Sequence, residues 1–183
     1  MKIAISGTHG TSKTTLAFAK ATALKLANPT KTVALLQEVA AECPLPINRN
    51  TTMESQLWIL GQQLKREIEL AARFDILVCD RTIFDTLAYT HYVDPKLGQD
   101  LFRALLPYAR TYDTIYFKHL RGNDFLQDDG LRDTDPAFRR FIDERLASMY
   151  SVIQGLPSGP RIVDIPATQA VDSTADEVDK EAL

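Results

Sequence analysis

Two kinds of hydrophobic pattern alternate along the chain. Short apolar runs bounded by turn residues predict buried strands, whereas apolar residues that recur every three or four positions predict amphipathic helices. The runs that predict strands are Lys2–Ser6, Thr32–Leu36, Phe74–Cys79, Thr114–Lys118 and Arg161–Ile165. A helical pattern separates each of these runs from the next one.

The helical patterns have recognisable starts. Beginning at Met53, apolar residues recur at spacings of four and three as far as about Arg73. The pairs Asp94-Pro95 and Asp135-Pro136 each predict a helix start, because aspartate can cap the first turn and proline fits the first helical position. Two further helices are predicted over Thr14–Ala27 and from Ile83 to Tyr92.

Regular alternation of strands and helices predicts a three-layer α/β fold, in which helices cover both faces of a five-stranded parallel sheet. In such sheets, ligands bind at the carboxyl ends of the strands. Glu38, the pair Asp80-Arg81 and the glycine-containing segment Gly7–Thr14 all follow predicted strands. We therefore expect one domain over residues 1–183, with its functional site at this edge of the sheet.

Composition narrows the function classes. The 183 residues are 45% hydrophobic and carry a net charge of −3, which suits one ordinary domain and argues against a nucleic-acid binder. A small basic site within this total remains compatible with DNA binding. No apolar stretch approaches a membrane span, and the first residues lack the layout of a signal peptide. Cys43 and Cys79 lack metal-site spacing, so we expect reduced thiols and a cytoplasmic protein.

The segment Gly7–Thr14 fits the phosphate-binding pattern G-x-x-x-x-G-K-[ST], except that Ser12 replaces the second glycine. In this pattern, backbone N–H groups surround the phosphates, the lysine bridges the β- and γ-phosphates, and the last hydroxyl ligates Mg²⁺. The expected nucleotide contacts are Gly7, Thr8, His9, Gly10, Thr11, Ser12, Lys13, Thr14 and Thr15. Serine is small enough for the loop to close. The replacement of glycine does not, however, allow the φ and ψ angles of position 12 to be predicted.

A second group of charged residues follows the next strands. Asp80 closes an apolar strand in the manner of a Walker B motif, where an acid holds Mg²⁺ or takes a proton from the attacking hydroxyl. Arg81 comes next and suits bidentate contact with an acceptor. Glu38 is the alternative base, or it binds substrate hydroxyls. Arg49, in a proline-rich loop, is expected to bind substrate charge.

Residues 120–140 are expected to form a small lid, because the segment is polar, contains glycine and is flanked by arginines. Positive charge on the moving phosphoryl group favours its transfer. Arg132 is the expected catalytic arginine of this lid, and Arg139, early in the following helix, is expected to contact the nucleotide.

Four segments give the chain a resemblance to known enzymes: Gly7–Thr14, Asp80-Arg81-Thr82, Phe84–Tyr89 and Asp128–Arg132. The chain resembles small P-loop kinases of the nicotinamide riboside kinase type found in NadR-like proteins, and more distantly thymidylate kinases and deoxynucleoside kinases. The resemblance implies the strand order 2-3-1-4-5, a mobile lid, and ATP with Mg²⁺. It also implies an acceptor near Glu38, Arg81 and the helix after Met53. In that helix a base edge is expected to be read by one of Gln56, Trp58, Gln62 and Gln63, and Gln56 is assigned to the acceptor site.

We therefore expect a kinase that moves the γ-phosphate of Mg-ATP to a small nucleoside- or nucleotide-like acceptor. Lys13, Asp80, Arg81 and Arg132 are its expected catalytic residues. The alternatives are a nucleotide-dependent ATPase or regulator, a binding module without turnover, and a kinase acting on a hydroxylated base in DNA. A membrane partner is not expected, and association into a homodimer stays open.

Overall fold

The apolar runs assemble into one parallel sheet. A computed structural model describes residues 1–120 and 135–165 of the chain. Its strands are β1 (Lys2–Ser6), β2 (Val33–Leu36), β3 (Ile76–Asp80), β4 (Thr114–Lys118) and β5 (Arg161–Ile165). Their order is β2-β3-β1-β4-β5, which confirms the predicted order and the predicted parallel pairing.

Five helices connect or follow these strands in the described residues: α1 (Lys13–Ala27), α2 (Met53–Ala71), α3 (Ile83–Val93), α4 (Pro95–Leu105) and α5 (Pro136–Gln154). Both predicted Asp-Pro starts are confirmed. The side chain of Asp94 accepts a hydrogen bond from the N–H of Leu97, and the side chain of Asp135 accepts bonds from Ala137 and Phe138.

Helices cover both faces of the sheet because successive residues of a buried strand point to opposite sides. On one face, Ile5 of β1 belongs to an apolar cluster with Leu16 of α1. On the other face, Ala4 belongs to the larger cluster, which includes Leu87 of α3 and Leu146 of α5. This arrangement gives the predicted three-layer fold, with β1 completely buried at its centre.

The remaining segments add detail to the predicted loops. The stretch after β2 contains two short 3₁₀ helices, Val39–Glu42 and Asn48–Asn50, where the sequence predicts only loop from residue 42. Most of the lid expected at 120–140, with Arg132, lies outside the described residues. None of the helices in the described ranges is both long and apolar enough to cross a membrane.

Candidate active site

The loop after β1 requires glycine at its first position. Gly7 has a φ of 144°, and a Cβ atom there would lie 2.5 Å from the carbonyl oxygen of Lys118. Ser12, just before α1, has φ 56° and ψ 33°, so it adopts the left-handed conformation that glycine takes without strain. The serine thus keeps the bend that the missing glycine would make, at a cost in backbone strain.

Lys13 is buried at the base of this loop. Its Nζ atom donates to the carbonyl oxygen of Thr8 at 2.6 Å and lies 3.5 Å from Oγ1 of Thr11. Burial, followed by the positive charge of Arg81, lowers the pKa of Lys13 from 10.5 to about 7. A polyanion bound in the loop would supply the negative charge that this ammonium group needs in order to stay protonated.

Thr14 and Asp80 meet at the carboxyl ends of β1 and β3. The hydroxyl of Thr14 donates to Oδ2 of Asp80 at 2.6 Å. Oδ1 of Asp80 is buried and has no hydrogen-bond partner among the described residues. Burial raises the pKa of Asp80, and the hydrogen bond from Thr14 opposes this shift. A hydroxyl next to a buried carboxylate oxygen without a partner is an oxygen donor set that fits Mg²⁺.

Arg81 joins the loop to the end of β2. Its Nε atom donates to Oε1 of Glu38 at 2.6 Å, and its Nη1 atom lies 3.4 Å from the carbonyl oxygen of Gly7. Nη1 is also 3.5 Å from Oδ1 of Asp85. Arg81 has a φ of 88°, a strained value for a residue with a long side chain. This backbone conformation directs the guanidinium back across the site, where it lies between the carboxylates of Glu38 and Asp85.

Asp85 is a buried carboxylate that links three parts of the site. Oδ1 accepts a hydrogen bond of 3.2 Å from the N–H of Gly7, and Oδ2 accepts bonds of 2.8 Å from both the N–H and the hydroxyl of Thr82. In return, the Thr82 hydroxyl caps the first turn of α3. This one side chain therefore holds the phosphate loop against the start of α3.

One pocket is lined both by the phosphate loop and by the residues after β2 and β3. Its loop end is formed by residues 9–14. The polar residues of the other end are Glu38, Asn48, Gln56, Gln63, Arg81, Asp85, Thr86 and Tyr89. Its apolar wall is formed by Val39, Ala40, Ala41, Ile47 and Ile59. The two ends are continuous, so a phosphate in the loop and a second molecule beside Glu38 would share one space.

Two glutamines of α2 face this pocket with their amide nitrogens already bonded. Nε2 of Gln56 donates to Oγ1 of Thr51 at 2.6 Å. Nε2 of Gln63 donates to the buried carboxylate of Glu67 at 2.8 Å and lies 3.3 Å from the carbonyl oxygen of Arg81. Both partners of the Gln63 nitrogen are acceptors, which defines the orientation of its amide.

The N-terminal turn of α5 packs against the phosphate loop. Nε of Arg139 lies 3.3 Å from the carbonyl oxygen of His9, and the ring of His9 packs against Phe138 with a centroid separation of 5.7 Å. Nδ1 of His9 is 3.2 Å from the hydroxyl of Tyr89, and burial raises the pKa of that hydroxyl to about 12. Tyr89 therefore contacts the loop as a neutral phenol.

A sequence profile of a protein family described as an AAA domain matches residues 2–155. The chain belongs to this AAA-domain family. No curated protein sequence matches the chain.

The AAA-domain chain also resembles solved kinase structures. Thymidylate kinase from Ehrlichia chaffeensis has a TM-score of 0.65 and 16% identity, over 94% of this chain and 90% of that chain. Deoxyadenosine kinase from M. mycoides with bound dATP has a TM-score of 0.63 and 15% identity, over 96% of both chains. The same enzyme with its products bound has a TM-score of 0.64 and 14% identity, over 96% of this chain and 95% of that chain. At these identities the likeness establishes the fold, and the P-loop kinase group suggested by the sequence is confirmed at that level.

Most residues singled out in the sequence of this AAA-domain chain come together in the structure. The loop residues 9–14 line the pocket with Glu38, Gln56 and Arg81, and Asp80 bonds to Thr14 beside it. Arg139 reaches the loop through His9. Thr15 is exposed on the first turn of α1 and is not among the residues that line the pocket.

Arg49 does not line the pocket. Its Nη1 atom pairs with Oδ2 of Asp135 at 2.9 Å, and its side chain is about half exposed. Its role in binding the acceptor stays a prediction, as does the role of Arg132, which lies outside the described residues.

Sequence reasoning assigned no role to Asp85 or Tyr89, and it named Gln63 only as one of several candidates in its helix for reading a base edge. Asp85 and Tyr89 lie in the Phe84–Tyr89 segment that carries the family resemblance, and this segment was the only signal for them. Their contacts with Gly7, His9 and the carbonyl of Arg81 join separate segments of the fold, so local spacing does not reveal these three contacts.

Proposed function

We propose that the chain is a phosphotransferase that moves the γ-phosphoryl group of Mg-ATP to a hydroxyl group of a small nucleoside- or nucleotide-like acceptor. One observation carries this proposal: the phosphate loop and the Glu38–Arg81 pair line the same pocket. A nucleotide-dependent switch does not need a second charged binding region beside the phosphates of its nucleotide. A kinase needs one, because donor and acceptor must meet in line.

The donor end is formed by the loop and Lys13. The ammonium group of Lys13 is held at the loop by the carbonyl of Thr8, from which it can turn to the β- and γ-phosphates. The oxygens of Thr14 and Asp80 would hold Mg²⁺, which supplies positive charge to the phosphates when bound. Arg139, next to the loop, adds positive charge at this end.

The acceptor end of the pocket, beside Glu38 and Arg81, supplies the general base. An acceptor hydroxyl oxygen attacks the γ-phosphorus, the bond to the β–γ bridging oxygen breaks, and ADP leaves. The hydroxyl proton passes to a carboxylate and then to solvent. We assign this carboxylate to Glu38, because Glu38 lines the pocket, whereas Asp80 does not and is assigned with Thr14 to Mg²⁺. Arg81, between the two ends, spreads the charge of the moving phosphoryl group.

The two cysteines also bear on the cellular compartment in which the reaction takes place. Cys43 and Cys79 are both free thiols, in keeping with a reducing compartment, and we place the reaction in the cytoplasm as the work of one domain.

ADP release with Mg-ATP and a panel of acceptors tests the proposal. The panel contains nicotinamide riboside, the common nucleosides, their monophosphates, and DNA with hydroxymethylated bases. We expect release that requires one acceptor class, and loss of at least about a hundredfold in Lys13→Ala. Lys65→Ala is the control, because Lys65 is exposed on α2 and its partner in the described part of the chain is Glu69, at 4.0 Å. Steady release without acceptor would make the chain an ATPase, and nucleotide binding without any release would make it a binding module.

A further inference from the structure

Arg81 combines a strained backbone with the guanidinium that joins the two ends of the pocket. Its φ of 88° is disfavoured for a residue with a long side chain. Such conformations persist only where the surrounding contacts hold them, and they cluster at functional sites. Two amide groups here are held by nearby elements, because the N–H of Arg81 donates to Ile5 at 2.9 Å and the N–H of Thr82 donates to Asp85 at 2.8 Å. The carbonyl group between these two amides is held from another element, α2.

Gln63 of α2 supplies the contact with this carbonyl group. Its Nε2 atom lies 3.3 Å from the carbonyl oxygen of Arg81 and donates to Oε1 of Glu67 at 2.8 Å. Only 2% of Gln63 is exposed. The same amide nitrogen makes both contacts, so the side chain bridges Glu67 to the backbone of Arg81. If the amide turned over, its oxygen would face two acceptors and both bonds would be lost.

Glu67 is the residue that defines the orientation of this amide. Its side chain is fully buried, and its carboxylate accepts hydrogen bonds of 2.8–3.2 Å from four side chains: Gln63 and Tyr112 at Oε1, and Lys2 and Tyr108 at Oε2. An ionised carboxylate can only accept, so it admits only the nitrogen side of the Gln63 amide. Well-packed apolar residues often stabilise a core as much as a buried ion pair does, so stability alone does not explain an ionic group at this position.

We propose that Gln63 is a positioning residue for Arg81, and that Glu67 orients its amide for this role. This inference rests on the proposed function, in which the guanidinium of Arg81 spreads the charge of the moving phosphoryl group. The bond from Gln63 holds the strained backbone of Arg81 in the conformation that places the guanidinium between Glu38 and Asp85. Without this bond the backbone relaxes, and the guanidinium moves away from its place between the donor and acceptor ends.

Two variants of Gln63 and one matched control test the proposal. Gln63→Leu keeps the approximate size of the side chain and removes both hydrogen bonds of the amide. Gln63→Asn keeps a polar amide, but it is one methylene shorter and cannot span from Glu67 to Arg81. Tyr108→Phe is the control, because it removes one donor from the same carboxylate and leaves the bond to the carbonyl of Arg81 intact. Urea unfolding measures how far each variant is destabilised and establishes that it folds.

The first measurement is hydrogen exchange at the Nε–H group of Arg81, followed by NMR spectroscopy without any substrate and assigned with Arg81→Lys. This group donates to Glu38 at 2.6 Å in the parent protein. We expect exchange to be roughly five- to tenfold faster in both Gln63 variants, the equivalent of about one hydrogen bond, and close to the parent value in Tyr108→Phe. Unchanged exchange in a folded Gln63 variant, or an equal increase in the control, overturns the inference.

The second measurement is turnover of Mg-ATP with the acceptor that the panel identifies. A guanidinium displaced by about 1 Å should lower kcat roughly tenfold to a hundredfold, with the KM for Mg-ATP close to that of the parent protein. A merely structural role would leave kcat per folded molecule unchanged. In an Arg81→Ala background, Gln63→Leu should cost less than about twofold, because the group that it positions is gone.

The outcomes separate this inference from the proposed function. An equal loss of kcat from Gln63→Leu in both backgrounds overturns the inference and leaves the proposed kinase intact. A parent protein that turns over no acceptor overturns the proposed function, and the hydrogen exchange of Arg81 then still decides whether Gln63 holds it in place.

Discussion

Oδ1 of Asp85 accepts a hydrogen bond of 3.2 Å from the backbone N–H of Gly7, although the two residues are 78 positions apart. The other oxygen of the same carboxylate bonds to Thr82, the residue that follows Arg81. The first residue of the phosphate loop and the arginine of the acceptor end are thus positioned by a single buried side chain. In the proposed kinase, the distance between donor and acceptor would therefore depend on Asp85.

Asp85→Asn should therefore damage both stability and nucleotide binding. The amide has one acceptor oxygen in place of two, so at least one buried donor among Gly7 and Thr82 loses its partner. We expect a loss of about 1–3 kcal/mol in the free energy of unfolding, together with weaker nucleotide binding. Urea unfolding and calorimetric titration with Mg-ADP measure the two effects.

Asp100→Asn is the control for this prediction. Asp100 pairs with Lys96 and Arg103 on the exposed surface of α4, where such pairs contribute little. Equal behaviour of the two variants would contradict the role given to Asp85.

Nucleotide binding should be accompanied by proton uptake. The pKa of Lys13 is lowered from 10.5 to about 7, so between these pH values the folded protein binds fewer protons at this residue than the unfolded chain does. The contribution of Lys13 to stability therefore rises as the pH increases through this window. Phosphates restore the charged form, so binding of Mg-ADP at pH about 8.5 should take up about one proton.

Calorimetry in two buffers with different ionisation enthalpies measures this uptake. Lys13→Arg is the informative variant, because a guanidinium remains protonated at every pH in the window. Uptake should disappear in this variant. Persistence of the uptake would assign the proton to another group.

The hydroxyl of Thr14 should control the need for Mg²⁺. Thr14→Val keeps the shape of the side chain but removes the oxygen that bonds to Asp80 at 2.6 Å. We expect the Mg²⁺ concentration for half-maximal turnover to rise by roughly 10- to 100-fold. Thr14→Ser retains the hydroxyl and should remain close to the parent protein. A valine variant with unchanged Mg²⁺ dependence would remove Thr14 from the metal site.

Replacing Ser12 by glycine should stabilise the protein. A left-handed conformation costs a residue with a Cβ atom roughly 1–2 kcal/mol, and the greater freedom of glycine in the unfolded chain offsets about 0.5–1 kcal/mol of that strain. We expect a net gain of about 0.5–1 kcal/mol in thermal or urea unfolding. Ser12→Ala keeps the strain and should show no such gain, so an equal gain in alanine would refute the explanation.

The sequence predicts the fold well because the elements have local signals. The apolar runs of β1 and β3 are buried on both faces, and both Asp-Pro pairs cap their helices as expected. Strand order does not follow from such signals, and it came from the family resemblance. The 3₁₀ helices near Pro44 were missed because prolines and polar residues there are equally typical of loops.

The residues of the candidate site also fall into two groups, those that the sequence identifies and those that the structure alone identifies. Lys13 and Asp80 belong to motifs with fixed spacing, so the sequence alone identifies them. Asp85 and Gln63 lie within ordinary helical patterns. Their importance comes from the bond of Asp85 to Gly7 and the bond of Gln63 to the carbonyl oxygen of Arg81, both of which join separate segments. Arg49 was expected from the sequence to bind substrate charge. In the structure it bonds to Asp135 and does not line the pocket.

Several contacts that hold the phosphate loop come from the far end of the fold. Arg139 bonds to His9 across 130 positions, and the hydroxyl of Tyr150 bonds to Ser6 across 144 positions. A ribosome adds about 5–20 residues per second, so the loop leaves it several seconds before α5 does. A nascent chain whose α5 is still missing should therefore contain the phosphate loop but not bind a nucleotide. Under the proposed function, ATP would become a ligand, and a stabiliser of the fold, only after α5 has emerged and packed against the loop.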